Sequence, residues 1–73
     1  MDKGKIKKGI GARIKQLRLK KDITQEQLAK SIGKLKPVIQ RIEGGTVNPT
    51  IYTLKQIAEG LGIKLDILLQ PIE

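Results

Sequence analysis

A chain of 73 residues is a single domain, and with neither cysteine nor histidine it has no disulfide, thiolate or imidazole metal ligand, or usual general base. Acid–base, cysteine-nucleophile and zinc enzymes are thereby excluded: no catalytic residue, metal or cofactor is expected, and a small binding module remains. Fifteen Lys and Arg against seven Asp and Glu, a formal net charge of +8, point to a polyanionic partner, nucleic acid or an anionic membrane surface.

The charge is unevenly spread. Residues 1–21 hold nine basic residues and one acid, whereas residues 22–73 hold six of each sign. Residues 1–5 carry almost nothing apolar and are expected to form a flexible basic N-terminal arm. An arm that is merely solvated and one that tracks a nucleic-acid backbone are equally good readings of it. From Ile6, apolar residues recur at Ile10, Ile14 and Leu17, one face of a helix. Gly9 and Gly11 weaken its start, so residues 10–20 carry its firm part.

Thr24 fits the N-cap of a second helix, Gln27 completes a capping box, and Ile23 with Leu28 has the spacing of a hydrophobic staple. Leu28, Ala29 and Ile32 form its buried face, and Gly33 ends it. A third helix starts near Lys36, where Pro37 is tolerated in the first turn. Val38, Ile39 and Ile42 point inward, and Gly44-Gly45 terminates it. After a loop at 46–49, Thr50 caps a fourth helix with Ile51, Leu54, Ile57, Ala58 and Leu61 inward, closed by Gly60 or Gly62.

The end reads two ways. At helical period Leu65, Leu68 and Leu69 face the core and Ile67 is left outside; at period two Ile63, Leu65, Ile67 and Leu69 align as a strand. A strand would need a partner edge, most simply the same strand of a second chain. The fold expected is therefore all-α, with five compact helices, or four helices plus a C-terminal strand pairing across a dimer. The apolar residues from Leu68 to Ile72, with Ile67, read as an interface. With one aromatic residue, Tyr52, the core must be built from Ile and Leu. No apolar run approaches the roughly 18 residues of a membrane span, and the reading is of a cytoplasmic protein without a membrane role.

Residues 25–44 are the most informative. Ala29 lets two helices cross closely, Gly33 permits the turn between them, and Ile39 and Ile42 anchor the second helix. Such a pair projects its second helix outward, where it can enter a major groove about 12 Å wide.

Ile10 to Ile14, Leu17-Arg18, Thr24 to Ala29, Gly33, Ile39, Ile42 to Gly45, Asn48-Pro49, Leu54, Ile57-Ala58 and Leu61-Gly62 together resemble the Xre/Cro family of phage-repressor-like helix-turn-helix proteins. The resemblance covers about residues 9–69 and implies a five-helix domain that binds double-stranded operator DNA as a homodimer; the helix-turn-helix domain is expected over residues 6–70, with a tail at 71–73. By the same resemblance Gln25 contacts a phosphate and braces a neighbouring side chain. Lys36, Pro37, Gln40 and Arg41 lie where the family's recognition helix faces the bases. Arg41 and Lys36 are the leading base readers, and Gln40 reaches adenine or a backbone oxygen. Thr46 and Asn48 hold phosphates with the neighbouring backbone amides. Arg18 and Glu43 match an internal ion pair, which removes both from the list of base readers. Two departures stand out: Lys34 and Leu35 occupy positions where the family has an apolar and then a small capping residue, and Pro37 replaces a polar one. The function implied is a sequence-specific transcriptional regulator. A second reading is the antitoxin of a toxin–antitoxin pair, which would bind a toxin protein and repress its own operon.

Overall fold

The computed structural model describes residues 3–70, with side chains from residue 9. Met1 and Asp2 of the expected arm, and the whole 71–73 tail with Ile72, lie outside the described residues. Five helices follow in order: α1 (Lys3–Lys20), α2 (Gln25–Ser31), α3 (Lys36–Glu43), α4 (Ile51–Gly60) and α5 (Leu65–Leu68). Among the described residues no strand forms, so the all-α alternative is the one realised.

α1 starts inside the segment expected to be an arm, and the backbone of residues 3–5 is helical. Lysine is a good helix former, and extending an established helix costs far less than nucleating one. α2 begins as the sequence predicts. The Thr24 hydroxyl accepts from the Gln27 amide at 3.0 Å, and the Gln27 side chain accepts from the Thr24 amide at 2.8 Å. Ile23 is half-buried and packs against the core cluster to which Leu28 belongs.

The first four helices end in the same way. At the end of α1 the Ile23 amide donates to the Arg18 carbonyl and the Asp22 amide to the Leu19 carbonyl, each at 3.1 Å. This is a Schellman turn, with Asp22 at φ 55 in the left-handed position. The pattern recurs after α2 (Lys34 to Ala29, Gly33 to Lys30), after α3 (Thr46 to Arg41, Gly45 to Ile42) and after α4 (Ile63 to Ala58, Gly62 to Glu59). The pivots there are glycines with φ near 70. α4 is thus closed by Gly62; Gly60 stays helical. A methyl group on Gly60 would lie 2.9 Å from the Ile32 and Ser31 side chains, so it sets how closely α4 approaches α2.

The core is formed by Ile14, Leu17, Leu28, Ala29, Ile39, Ile42, Leu54, Ile57, Ala58, Leu61 and Leu68, at the helical spacings of their elements. Val38 and Ile32 are half-buried at its margin. Four expected placements change. Ile51 was expected inward but is 65% exposed, because the first turn of α4 overhangs the core, whose contact with this helix begins at Leu54. Leu69 is also outside and Ile67 is half-buried, the reverse of their expected order. α5 is a single turn that ends before Leu69 can rotate inward. Finally, Leu68 is fully buried and therefore belongs to the core, not to an interface. A helix suits this end because the turn satisfies its amides locally. Arg13 on α1 also donates to the Ile67 carbonyl at 3.1 Å, tying α5 down.

Candidate nucleic-acid interface

The geometry of α3 follows from its two anchors. Ile39 and Ile42 are buried, three residues apart, and this rotates the intervening positions outward. Lys36, Pro37, Gln40 and Arg41 are all exposed. The outer edge of the helix therefore presents one amide, two cations and a rigid ring to solvent.

The start of α3 departs from the usual chemistry. Leu35 is its N-cap residue and makes no side-chain capping bond. The turn itself is not displaced, since Gly33 occupies the left-handed position and the Lys34 amide reaches back to Ala29. Pro37 falls in the first turn, where its missing amide donor costs nothing. What is lost relative to a serine or threonine is one capped amide.

The other end of α3 is held by charge. The Arg18 Nε donates to Glu43 Oε2 at 2.7 Å and its Nη2 to Oε1 at 2.9 Å, while Nη1 donates to the Ile23 carbonyl at 2.8 Å. Gln25 Nε2 adds a fourth bond, to Glu43 Oε1 at 3.2 Å. Both charged side chains are buried, at 7% and 3% exposure. The hydrogen bond to Glu43 holds the Arg18 guanidinium above its already high pKa, against the opposing effect of burial. Three elements converge on this carboxylate: α1 through Arg18, α2 through Gln25 and α3 through Glu43 itself. Neither charge is presented at the outer edge of α3.

Thr46 and Asn48 are exposed in the loop after α3. The Thr46 hydroxyl donates to the Arg41 carbonyl at 3.1 Å, and its amide donates to the same oxygen, so Thr46 closes the helix that carries Arg41. The expected site residues on α3 and the following loop are thus all exposed, while Gln25 is half-buried and bonds Glu43.

Two contributors were not recognised as such from sequence. Gly11 was read as a weak point of α1; it is buried where α1 meets the last turn of α3, and a methyl group there would sit 2.7 Å from the Glu43 carbonyl oxygen. Arg13, one of the nine basic residues of 1–21 and part of the Ile10 to Ile14 match, bonds Gln16 and the end of α5. A glycine in the middle of an otherwise regular helical face was the available signal for the first. None existed for the second. Among the described residues no helix is long and apolar enough to cross a membrane, and no group of three or more acidic residues is placed to hold a metal ion.

Comparison with known proteins places these features in context. The helix-turn-helix family model HTH_3 matches residues 14–68. The control protein C.MunI of a Mycoplasma species is 38% identical over 69 residues, covering 93% of each chain. An uncharacterized HTH-type transcriptional regulator of Sinorhizobium fredii is 31% identical over 68 residues, covering 93% of this chain and 88% of that protein. Among solved structures, the restriction-modification controller protein C.AhdI from Aeromonas hydrophila superposes with a TM-score of 0.88 at 26% identity, over 93% of this chain and 99% of that one. None of these three is named as an antitoxin, and the antitoxin reading gains no support from them.

Proposed function

The chain belongs to the HTH_3 family of Xre/Cro-like helix-turn-helix proteins, and from that membership we propose that it is a sequence-specific DNA-binding transcriptional regulator. The observation that carries this reading is the exposed edge of α3. Lys36, Pro37, Gln40 and Arg41 face solvent while Ile39 and Ile42 fix the helix behind them. The action is occupancy of a promoter, with no bond made or broken.

In this reading α3 enters the major groove. Arg41, and Lys36 with it, donates to guanine O6 and N7, and Gln40 reaches adenine or a backbone oxygen. Thr46, Asn48 and the nearby amides hold phosphates. Gln25 has one amide proton engaged by Glu43 and a second free for a phosphate. Two copies act together on a near-palindrome with half-sites about one helical turn (~34 Å) apart. The exposed Leu69 and the half-buried Ile67, both at the end of α5, supply apolar surface for a contact between copies. The net charge of +8 is consistent with a polyanionic partner.

A randomised-duplex selection on the full chain tests this directly. It is expected to return a two-fold symmetric site, and binding to that site is expected to weaken steeply with salt. If a dimer neutralises about eight phosphates, log affinity falls against log salt with a slope near −7. No enriched site, or a slope near zero, overturns the reading.

A further inference from the structure

The apolar tip of the turn between α2 and α3 is the one exposed feature there that neither the core nor the polar contacts account for. Leu35 is 75% exposed at the N-cap of α3, where it gives the helix no capping bond, although serine, threonine, asparagine and aspartate are the residues that stabilise this position. Pro37 is exposed two residues further on. The two border a shallow depression floored by Ala29, whose rim carries Lys30, Lys34 and Lys36 and a single carboxylate, Glu26.

An apolar centre inside a mainly cationic rim is complementary to a surface that is apolar at its centre and anionic around it. Duplex DNA offers this combination in the major groove at thymine, whose C5 methyl group is flanked by phosphates. We propose that Leu35, with Pro37 beside it, reads a thymine methyl group in each half-site, making Leu35 a specificity-determining residue. The proposal rests on the DNA-binding function above and adds to it a base and an atom. Leucine at the N-cap is then retained for the contact its exposed side chain makes, at the expense of the amide it leaves uncapped.

The test uses the full chain and the duplex obtained by selection. Each thymine is replaced in turn by deoxyuridine, which deletes the methyl group and leaves the hydrogen-bonding edge intact, and Kd is measured for the wild type and Leu35→Ser. At one thymine per half-site, uridine is expected to weaken the wild type about fourfold, the worth of one buried methyl group. Leu35→Ser is expected to bind the thymine and uridine duplexes alike while melting no lower than wild type, because serine supplies the missing cap. The proposal is overturned if uridine costs the wild type nothing at any thymine. It is equally overturned if uridine costs Leu35→Ser as much as wild type, or if Leu35→Ser alters only self-association, which would assign the tip to a second copy of the chain. A wild type that enriches a site yet ignores uridine removes this inference alone; a wild type that enriches no site removes the function with it.

Discussion

Gly11 lies so close to Ile42 that a methyl group on its α-carbon would run into the Ile42 carbonyl oxygen. α1 and the last turn of α3 are in backbone contact there, about two turns along α1 from where Arg18 grips Glu43. The first helix thus holds the end of α3 twice, once by close approach and once by charge.

Gly11→Ala separates these two effects of glycine. Alanine is the better helix former by about 1 kcal/mol, so an unpacked α1 would gain stability from the change. Crowding against a backbone carbonyl costs about 1–3 kcal/mol, and because the obstacle is main chain it cannot turn aside. Net destabilisation of up to about 2 kcal/mol is expected in a urea titration. A rise in the unfolding midpoint would show that α1 does not approach α3 this closely.

The buried pair makes a second prediction. Arg18→Ala leaves the Glu43 carboxylate nearly out of solvent with only the Gln25 amide as partner, and is expected to cost about 3–5 kcal/mol. That is a large fraction of the stability of a small domain. Replacing both charges, as Arg18→Met with Glu43→Leu, is expected to recover much of the loss, since two apolar side chains leave no buried charge unpaired. Urea titrations of the single and double variants compare them. The pair is not expected to lose strength through Arg18 at any moderate pH. Its pKa is raised by folding, so its contribution is complete below the unfolded value and is lost only in strong alkali.

At the end of the chain, Leu68 and Leu69 are adjacent but unequal. Leu68 is fully buried and Leu69 is 45% exposed. Leu68→Ala is expected to cost about 2–5 kcal/mol through the cavity it leaves, and Leu69→Ala to change the stability of the monomer by less than about 0.5 kcal/mol. Thermal denaturation at low protein concentration checks both. Similar losses at the two positions would mean that α5 is not the turn described.

Arg41→Ala addresses recognition. Arg41 is exposed on α3, and if it reads a guanine its removal is expected to relax preference by about 1–3 kcal/mol at one base pair per half-site. Competition binding against single-position variants of the selected duplex measures this. Weakening that is equal on every duplex would make Arg41 a phosphate contact instead.

Much of this molecule was legible in its residues because the signals were local. Thr24 and Gln27 define a helix start by reaching three residues along the chain. Gly33 and Gly45 mark turns because the left-handed conformation is costly for most other side chains. The apolar spacing of Leu54, Ile57, Ala58 and Leu61 requires a helix with one inner face. The outer edge of α3 followed from the same logic, since placing Ile39 and Ile42 inside places Pro37, Gln40 and Arg41 outside.

The amino-acid sequence by itself determined the helices, the turn residues and which edge of α3 meets solvent, because each depends on neighbours a few positions away. Only the tertiary structure decided whether the last segment coils or extends. Both periods fit residues 63–69, and the choice fell to the place Leu68 fills among Ile14, Ile57 and the other core residues. It also decided that Gly11 is a contact and not a flaw, and that Asp22 takes the left-handed position glycine takes elsewhere. These outcomes depend on surfaces brought together from distant parts of the chain, and a linear pattern carries no record of which surfaces meet.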